Sequence, residues 1–163
     1  MVVEVRPATQ NDIKQLTDLF MENIEDWLSI HGRIKLNRNE KSSIKKLHTE
    51  ELKSEDNNKL YLVAVSPEHK GKIVGYLRAC IRNDPHFGES VKIGEIIEIF
   101  VHKDFRRQHV GLSLFIQCTD WFKENNVSRI EIEAPADHDE YKEFLNKLGF
   151  AKLSIVYFRG IEN

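Results

Sequence analysis

Residues 95–115, EIIEIFVHKDFRRQHVGLSLF, decide how this chain folds. The mostly apolar run EIIEIFV predicts a strand that ends at Val101. The polar and basic residues that follow, up to the single glycine Gly111, predict a turn. From Leu112 onward apolar residues recur at helical spacing and predict a helix. A strand, a basic turn and a helix in this order indicate a domain in which helices cover a sheet.

The rest of the chain shows the two-residue period of strands or the 3.6-residue period of helices. Strands are predicted at residues 2–6, 59–65, 72–82, 92–101, 128–134 and 150–160, and helices at residues 11–32, 39–54, 112–125 and 139–149. The order β-α-α-β-β-β-α-β-α-β predicts one domain over residues 1–163, with antiparallel strands in the middle and crossover helices later. In the second helix, Ile44, Leu47 and Leu52 are expected to face inward and the charged run KKLHTEELK (45–53) to face solvent.

Composition excludes several classes of function. The chain has 163 residues, of which 40% are hydrophobic, and a net charge of −2, which predicts neither nucleic-acid binding nor attraction to a membrane. No apolar run is long enough to cross a bilayer, and the N-terminus does not read as a secretory signal. Cys80 and Cys118 lie inside apolar patterns and are interpreted as buried thiols of a cytoplasmic protein. The seven histidines show no metal-ligand spacing, so no metal is expected.

The basic turn also presents a chemical possibility. The first N–H groups of a helix have no partner within it and carry about half a positive charge, so a phosphate can bind there. Glycine favours the close approach because it has no Cβ. Gly111 lies at the helix start, while a histidine, His109, stands where a second glycine is expected. On these residues alone the turn fits either a phosphate site or an ordinary solvated connection.

The segment VHKDFRRQHVGLSLF (101–115) resembles the acyl-CoA-binding motif of the GNAT superfamily of N-acetyltransferases. In that motif a strand ending in valine leads into Arg/Gln-x-x-Gly-x-Gly/Ala, which opens a helix. Arg106 matches the first position of the motif and Gly111 the last, whereas His109 replaces the middle glycine.

The resemblance extends over nearly the whole chain. VEVRPATQNDIKQL (3–16) resembles the opening strand and first helix of the family, and FLNKLGF (144–150) resembles its closing helix-to-strand signature. The order of elements agrees as well. The resemblance therefore implies a GNAT-like α/β (α+β) fold, with a mixed, splayed central sheet of about six or seven strands flanked by about four helices.

The resemblance also implies acetyl-CoA as co-substrate. The fourth strand would hold the pantetheine arm by backbone hydrogen bonds, and N–H groups of residues 107–113 would hold the pyrophosphate, with the Ser113 hydroxyl adding a contact. The implied binding residues are Ile99, Phe100, Val101, Arg106, Arg107, Gln108, His109, Val110, Gly111, Leu112 and Ser113. At His109 we expect a positive φ at a cost of about 1 kcal/mol, with a ring that can donate to a phosphate oxygen.

Forming an amide from a thioester requires a neutral amine. A lysine-like amine is neutral in only about one molecule in 2,500 at pH 7, so a general base is useful. Glu98 is the candidate base, since apolar neighbours on its strand would raise its pKa; the alternative is an ordinary strand residue that faces solvent or pairs with Arg78 or Arg82. Glu95 is the second candidate, and strand alternation predicts it on the opposite face from Glu98. A backbone N–H near Ile99 or Phe100 would polarise the carbonyl.

The last helix departs from the family. A tyrosine that often serves as acid for the leaving thiolate is replaced by Leu145, and His138 replaces a frequent asparagine. Tyr141 lies one helical turn earlier and is the substitute acid that the sequence offers, against the alternative of a packing tyrosine.

The sequence thus predicts an acetyl-CoA-dependent N-acetyltransferase acting on a primary amine of a small molecule or a protein by direct transfer. The alternative is a catalytically silent acyl-CoA-binding module used for sensing or assembly. Because many relatives dimerise, the resemblance also allows a homodimer.

Overall fold

A computed structural model describes residues 2–30, 40–84, 88–135 and 138–154 of the chain. The chain forms two compact units, Met1–Glu133 and Ala134–Asn163. The first unit contains β1 (Glu4–Pro7), α1 (Ile13–Ile30), α2 (Glu40–Lys53), β2 (Lys59–Ser66), β3 (Lys72–Asp84), β4 (Gly88–Val101), α3 (Val110–Glu124) and β5 (Arg129–Ile132). The second contains α4 (Asp139–Lys147). Short 3-10 helices lie at Gln10–Asp12, Pro67–His69 and Lys103–Phe105.

The described strands form one sheet in the order β1-β2-β3-β4-β5. The first four pair antiparallel in sequence, and β4 pairs parallel with β5 because α3 returns the chain between them. The predicted mixed α/β architecture with four helices is confirmed, but the described residues hold five strands rather than six or seven. Of the predicted last strand, residues 150–154 form no strand and residues 155–160 lie outside the described residues, as does Gly32.

Two of the three register shifts in the sheet are single-residue β-bulges, which set which side chains share a face. Ala64 and Val65 of β2 pair with Gly75 and Ile73 of β3, so Val74 is an extra residue. Arg78 and Ala79 of β3 pair with Glu98 and Ile96 of β4, so Ile97 is an extra residue. Each insertion reverses the alternation along its strand, because an inserted residue shifts a two-residue period by one.

The two faces of the sheet carry different helices. On one face, α1 packs into a core of buried side chains contributed by Leu16, Leu19, Val63, Val65, Ile73, Tyr76 and Phe100. On the other face α3 lies close to the strands. A Cβ on Gly75 would come within 3.1 Å of a Val110 methyl, and one on Gly94 within 2.6 Å of the Phe122 ring. These two glycines therefore make room for α3.

Helix α2 differs from its prediction. Ile44 is buried and Leu52 packs against the α1 core, as expected, but Leu47 is 42% exposed. Its neighbour His48 is fully buried instead. The charged run is therefore not wholly a solvated face, because the helix turns a histidine and Glu51 inward with its apolar residues.

The entry into α1 is held by a buried carboxylate. Asp12 accepts two hydrogen bonds from the Arg6 guanidinium, at 2.8 and 2.9 Å. Its Oδ2 also accepts from the backbone N–H and the hydroxyl of Thr9. The Arg6 hydrogen bond lowers the pKa of Asp12 most, and burial opposes it. This cluster ties β1 to the first turn of the helix.

No helix in residues 2–30, 40–84, 88–135 or 138–154 combines the length and the apolar character needed to span a bilayer.

Asp12→Asn is expected to lower the free energy of unfolding by about 1–3 kcal/mol at pH 7, because a charge-assisted pair with Arg6 is lost. The folded-state pKa of Asp12 is lowered, so its stabilisation is present above about pH 4, the usual unfolded value, and disappears as pH falls through the folded value. Urea unfolding of both proteins from pH 7 to pH 2 measures the difference. Asp18→Asn, at a half-exposed carboxylate paired with an exposed lysine, is the matched control and should change stability by less than about 0.5 kcal/mol. A pH-independent difference would contradict this account.

Candidate active site

The end of β4 is paired on one edge only among the described strands. Its register with β5 runs from Ile93 to Ile96, whereas its register with β3 continues to Val101. Residues 97–101 therefore present main-chain donors and acceptors on the edge where β5 has stopped. Ile99, Phe100 and Val101, the residues expected to bind a pantetheine arm, lie in this segment. The register stops there because β5 itself ends at Ile132, the partner of Ile96.

The turn after β4 contains a run of amides that make no hydrogen bond to the described residues. The Phe105 and Arg106 N–H groups donate to His102 and Lys103, and the next amide that donates to a carbonyl is that of Ser113, to His109 at 3.0 Å. Within the described part of the chain, the amides of residues 107–112 make no hydrogen bond. Six consecutive amides at a helix N-terminus are a suitable binding place for an anion.

Two residues of the turn adopt the left-handed conformation. Arg107 has φ of 61° and His109 has φ of 64°, the latter as the residue that precedes the helix. The positive φ expected at His109 is thus present. Its ring makes no capping hydrogen bond and its side chain is exposed, so the imidazole does not fill the turn. Each of these positive φ values costs a non-glycine residue about 1 kcal/mol.

Several polar side chains of the turn are used within the protein. The Arg106 guanidinium donates to the Val101 carbonyl at 3.1 Å, pairs with Asp26 of α1 and lies over the Phe100 ring. The Gln108 amide donates to the Asp104 carbonyl. The Ser113 hydroxyl donates to the His109 carbonyl, as does its amide, so the free amides are those of residues 107–112. The contact expected from the Ser113 hydroxyl stays a prediction. By contrast, the exposed Arg107 guanidinium has no partner among the described residues.

Close packing fixes the start of α3 beside the end of β4. A Cβ on Gly75 would lie 3.0 Å from the Phe100 carbonyl oxygen as well as against Val110. A side chain at this position of β3 would therefore push the helix away from the strand. Gly75 thus keeps the free amides next to segment 97–101, which is paired with β3 on one edge only.

Glu98 lies on β4 directly after the bulge at Ile97. Its side chain is 20% exposed and reaches the α1 face of the sheet. There Oε1 accepts from the Asn23 amide, and Oε2 lies 3.4 Å from the Arg78 guanidinium. The Tyr76 hydroxyl accepts from Asn23 at 2.9 Å and interacts with the Glu98 carboxylate. Glu98 is thus positioned by α1 and β3 together.

The environment of Glu98 suits a base. Burial raises the pKa of Glu98 above its usual value and is the largest effect, while Arg78 and the Tyr76 hydrogen bond lower it and Glu51 raises it further. A carboxylate with a raised pKa accepts a proton more readily near neutral pH. Glu98 is largely buried and pairs with Arg78, one of the two partners that the alternative interpretation named, and its role as the base stays a prediction.

The neighbours of Glu98 form a cluster of which the sequence indicated only Arg78. Arg78 donates to Glu51 of α2 at 2.6 Å and lies over the Tyr61 ring of β2. The Tyr61 hydroxyl meets Nδ1 of the buried His48 at 3.1 Å. Burial lowers the pKa of His48 to about 4 and raises that of Tyr61, so both are neutral at pH 7. The signal that was available is spacing, since His48 lies four residues from both Ile44 and Leu52.

Glu95 is placed differently from its prediction. Glu98 pairs with Arg78 and Glu95 with Cys80, and these two β3 residues lie on the same face because they are two apart. The bulge at Ile97 therefore puts both glutamates on one face. Glu95 remains separate from the cluster because Arg82 binds its carboxylate at 2.9 Å and also binds Glu131.

The residues expected from the last helix lie in the second unit. His138 precedes α4, and its Nδ1 accepts from the Tyr141 amide at 3.3 Å. The Tyr141 ring lies beside those of His138 and Phe144, and Leu145 is buried. These contacts are those of a packing tyrosine, and its role as an acid stays a prediction.

The described residues include acidic side chains and histidines that could bind a metal, and two thiols. No group of three or more His, Cys, Asp or Glu side chains there is arranged to hold a metal ion. Cys118 is buried, and burial raises its pKa to about 12. Cys80 is only half-buried, contrary to prediction, and burial also raises the pKa of its thiol. Neither thiol is activated for attack.

Comparisons with known proteins agree with this geometry. Residues 18–150 match the model of the acetyltransferase (GNAT) family. An uncharacterised N-acetyltransferase of Methanocaldococcus jannaschii is 32% identical over 89 residues, a match that covers 55% of this chain. The same match covers 39% of that protein, so the chain spans about two fifths of its length.

Solved structures share the fold. A tetramutant of the BH1408 protein from Bacillus halodurans has a TM-score of 0.83 at 20% identity, covering 99% of this chain and 100% of that one. AAC(6′)-Iy, in complex with the bisubstrate analogue CoA-S-monomethyl-acetylneamine, has a TM-score of 0.71 at 15% identity and covers both chains completely.

Arg107→Ala is expected to weaken binding of CoA about 5- to 10-fold, because an exposed guanidinium beside free amides can form a charge-assisted hydrogen bond to a phosphate. Isothermal titration with CoA measures the change, and Arg107→Lys should recover most of the affinity. Lys103→Ala removes an exposed cation one turn earlier and is the matched control. Equal losses for Arg107→Ala and Lys103→Ala would show that only general electrostatic attraction is involved.

Proposed function

Because the chain belongs to the acetyltransferase (GNAT) family, we propose that it moves an acetyl group from acetyl-CoA to a primary amine. The observation that carries this proposal is the arrangement at the end of β4. Segment 97–101 has one edge without a strand partner among the described strands, contains the largely buried Glu98, and is followed a few residues later by six free amides at the start of α3. An acyl carrier with a diphosphate and a peptide-like arm needs these two kinds of backbone group.

The residues present fit acetyl-CoA. The amides of residues 107–112, with Arg107 and His109 beside them, would hold the pyrophosphate. The segment 97–101 would hold the pantetheine arm as an added strand does, through its free edge. A backbone N–H near Ile99 or Phe100 would polarise the thioester carbonyl. Arg106 contributes by fastening the turn to Val101 and α1 rather than by contacting phosphate.

Glu98 serves as the general base. When bound, acetyl-CoA supplies an acyl thioester. As the amine nitrogen bonds to the carbonyl carbon, the C–S bond breaks, CoA leaves as a thiolate, and the amine proton goes to the Glu98 carboxylate. Transfer is direct, since the high thiol pKa values of Cys80 and Cys118 argue against an acyl-enzyme.

A general acid is of secondary importance. A thiol of pKa about 8.5 leaves as thiolate at a cost of only about 2 kcal/mol at pH 7. Tyr141 stays the candidate for this role. The acceptor is a primary amine of a small molecule or a protein, and a homodimer and a cytoplasmic location are the remaining parts of the proposal.

Thermal unfolding with acetyl-CoA, followed by thiol release in the presence of an amine panel, tests the function. At about 100-fold excess over the dissociation constant, we expect the melting temperature to rise by about 5 °C or more. Release of CoA should then require one or more of the amines. Stabilisation without release on any amine would support the alternative, a catalytically silent acyl-CoA-binding module. No stabilisation at millimolar acetyl-CoA would contradict both.

Glu98→Gln is expected to reduce kcat/KM about 100-fold or more for a lysine-type amine at pH 7, because the base is lost. An α-amine, with pKa near 7.8, should lose less than about 10-fold, since more of it is already neutral. Paired acceptors that differ only in amine pKa measure the contrast. Glu95→Gln, on the same strand and face, is the control and should change neither rate appreciably. Small and equal losses on both amines would exclude Glu98 as the base.

A further inference from the structure

One guanidinium stands between two carboxylates beside the proposed base. Arg78 of β3 contacts Glu51 of α2 at 2.6 Å and Glu98 of β4 at 3.4 Å. All three side chains are largely buried, with 12% of Arg78, 22% of Glu51 and 20% of Glu98 exposed. The two ion pairs are unequal, because the cation lies closer to the carboxylate that is not expected to react.

The other groups around the cluster add no charge. Asn23 of α1 and Tyr76 of β3 meet Glu98 directly. Tyr61 of β2 lies under the guanidinium, and His48 of α2 is bonded to Tyr61. Both tyrosines and the histidine are neutral at pH 7, as their pKa shifts require. One positive charge is therefore shared by two negative charges.

Sharing one cation between two largely buried carboxylates costs free energy, because one negative charge is left without a full counter-charge. A buried arginine that paired fully with Glu98 would favour the ionised carboxylate and weaken it as a base. In this arrangement Glu51 takes the short contact instead. The second Glu51 oxygen and the Arg78 Nε are buried and have no partner among the described residues. The Glu51–Arg78 pair therefore leaves two buried polar atoms without hydrogen bonds in this part of the chain.

We propose that Glu51 is a positioning residue, which holds the Arg78 guanidinium away from Glu98 and thereby keeps Glu98 able to take the proton of the acceptor amine. This role rests on the proposed acetyl transfer, and it adds a residue of the charged run 45–53 of α2, which was predicted to face solvent. Arg78 then has two effects. It orients the Glu98 carboxylate through a long contact and limits how far its basicity rises.

Opposite shifts of the pH profile test this role. The acidic limb of kcat/KM reports the base in the free enzyme. In Glu51→Gln the cation is released to Glu98, so the limb should move to lower pH by roughly one unit, the change expected from one charge within about 4–6 Å. In Arg78→Gln it should move to higher pH. Glu51→Asp keeps the charge and should restore a profile close to that of the original protein. A purely structural role would lower the plateau without moving the limbs in opposite directions.

A titration without turnover separates this inference from the function. The ¹³C signal of the Glu98 carboxyl, assigned by its loss in Glu98→Gln, can be followed with pH in glutamate-labelled protein. We expect its midpoint to fall in Glu51→Gln by the same amount as the kinetic limb, and Glu95→Gln should leave it unchanged. An unchanged midpoint in folded Glu51→Gln would overturn the role of Glu51. A shifted midpoint in a protein that acetylates no amine would keep the Glu51 inference and count against the function. If Arg78→Gln does not fold, Arg78→Lys, which keeps a single point charge, should shift the midpoint less than Glu51→Gln.

Discussion

Backbone groups of β4 have strand partners on both edges only between Ile93 and Ile96, where the register with β5 begins and ends. Beyond Ile96, β3 alone pairs with the strand, and main-chain groups of residues 97–101 must be satisfied by something other than β5. The free amides that open α3 follow within a few residues. Gly75 fixes the helix beside the strand, and Arg106 ties the turn to the strand's last carbonyl. The backbone part of the site depends on this free edge of β4 beyond the end of β5.

The electrostatics of the site centre on the Glu98 carboxylate, whose charge is only partly neutralised by Arg78. Burial raises the proton affinity of Glu98, and a single arginine counters that effect. The arginine is itself held mainly by α2, so the chemistry of a β4 residue is linked to a helix on the same face. Such links between elements are typical of sites where pKa values are tuned, because one buried group cannot be changed without its neighbours.

The sequence predicted the fold where periodicity is long and regular. The boundaries of α1, α2, β2 and α3 agree to within about two residues, because each element buries a continuous apolar face. The turn was predicted from its motif, including the positive φ at His109. The bulge at Ile97 was not predictable, because one inserted residue has no period, and the placement of Glu95 failed with it. Glu51 and His48 were missed because their partners, Arg78 and Tyr61, lie on distant strands. Leu47 was predicted to be buried and is exposed, whereas His48 was predicted to face solvent and is buried. The reason is that both polar and apolar residues occupy the inward face of α2.

The extra residue in β4 has a consequence for how relatives of this chain are compared. Position within a strand normally tells which layer a side chain enters, so counting back from the turn is a natural way to transfer an active carboxylate between homologues. Here the extra residue Ile97 reverses, midway along β4, which face of the sheet alternate side chains occupy. A relative whose strand lacks it would need its acid one step nearer to, or farther from, the turn in order to reach the same layer. Column-by-column alignment would then pair residues that point in opposite directions, and homologous chemistry is better located by the insertion than by the column.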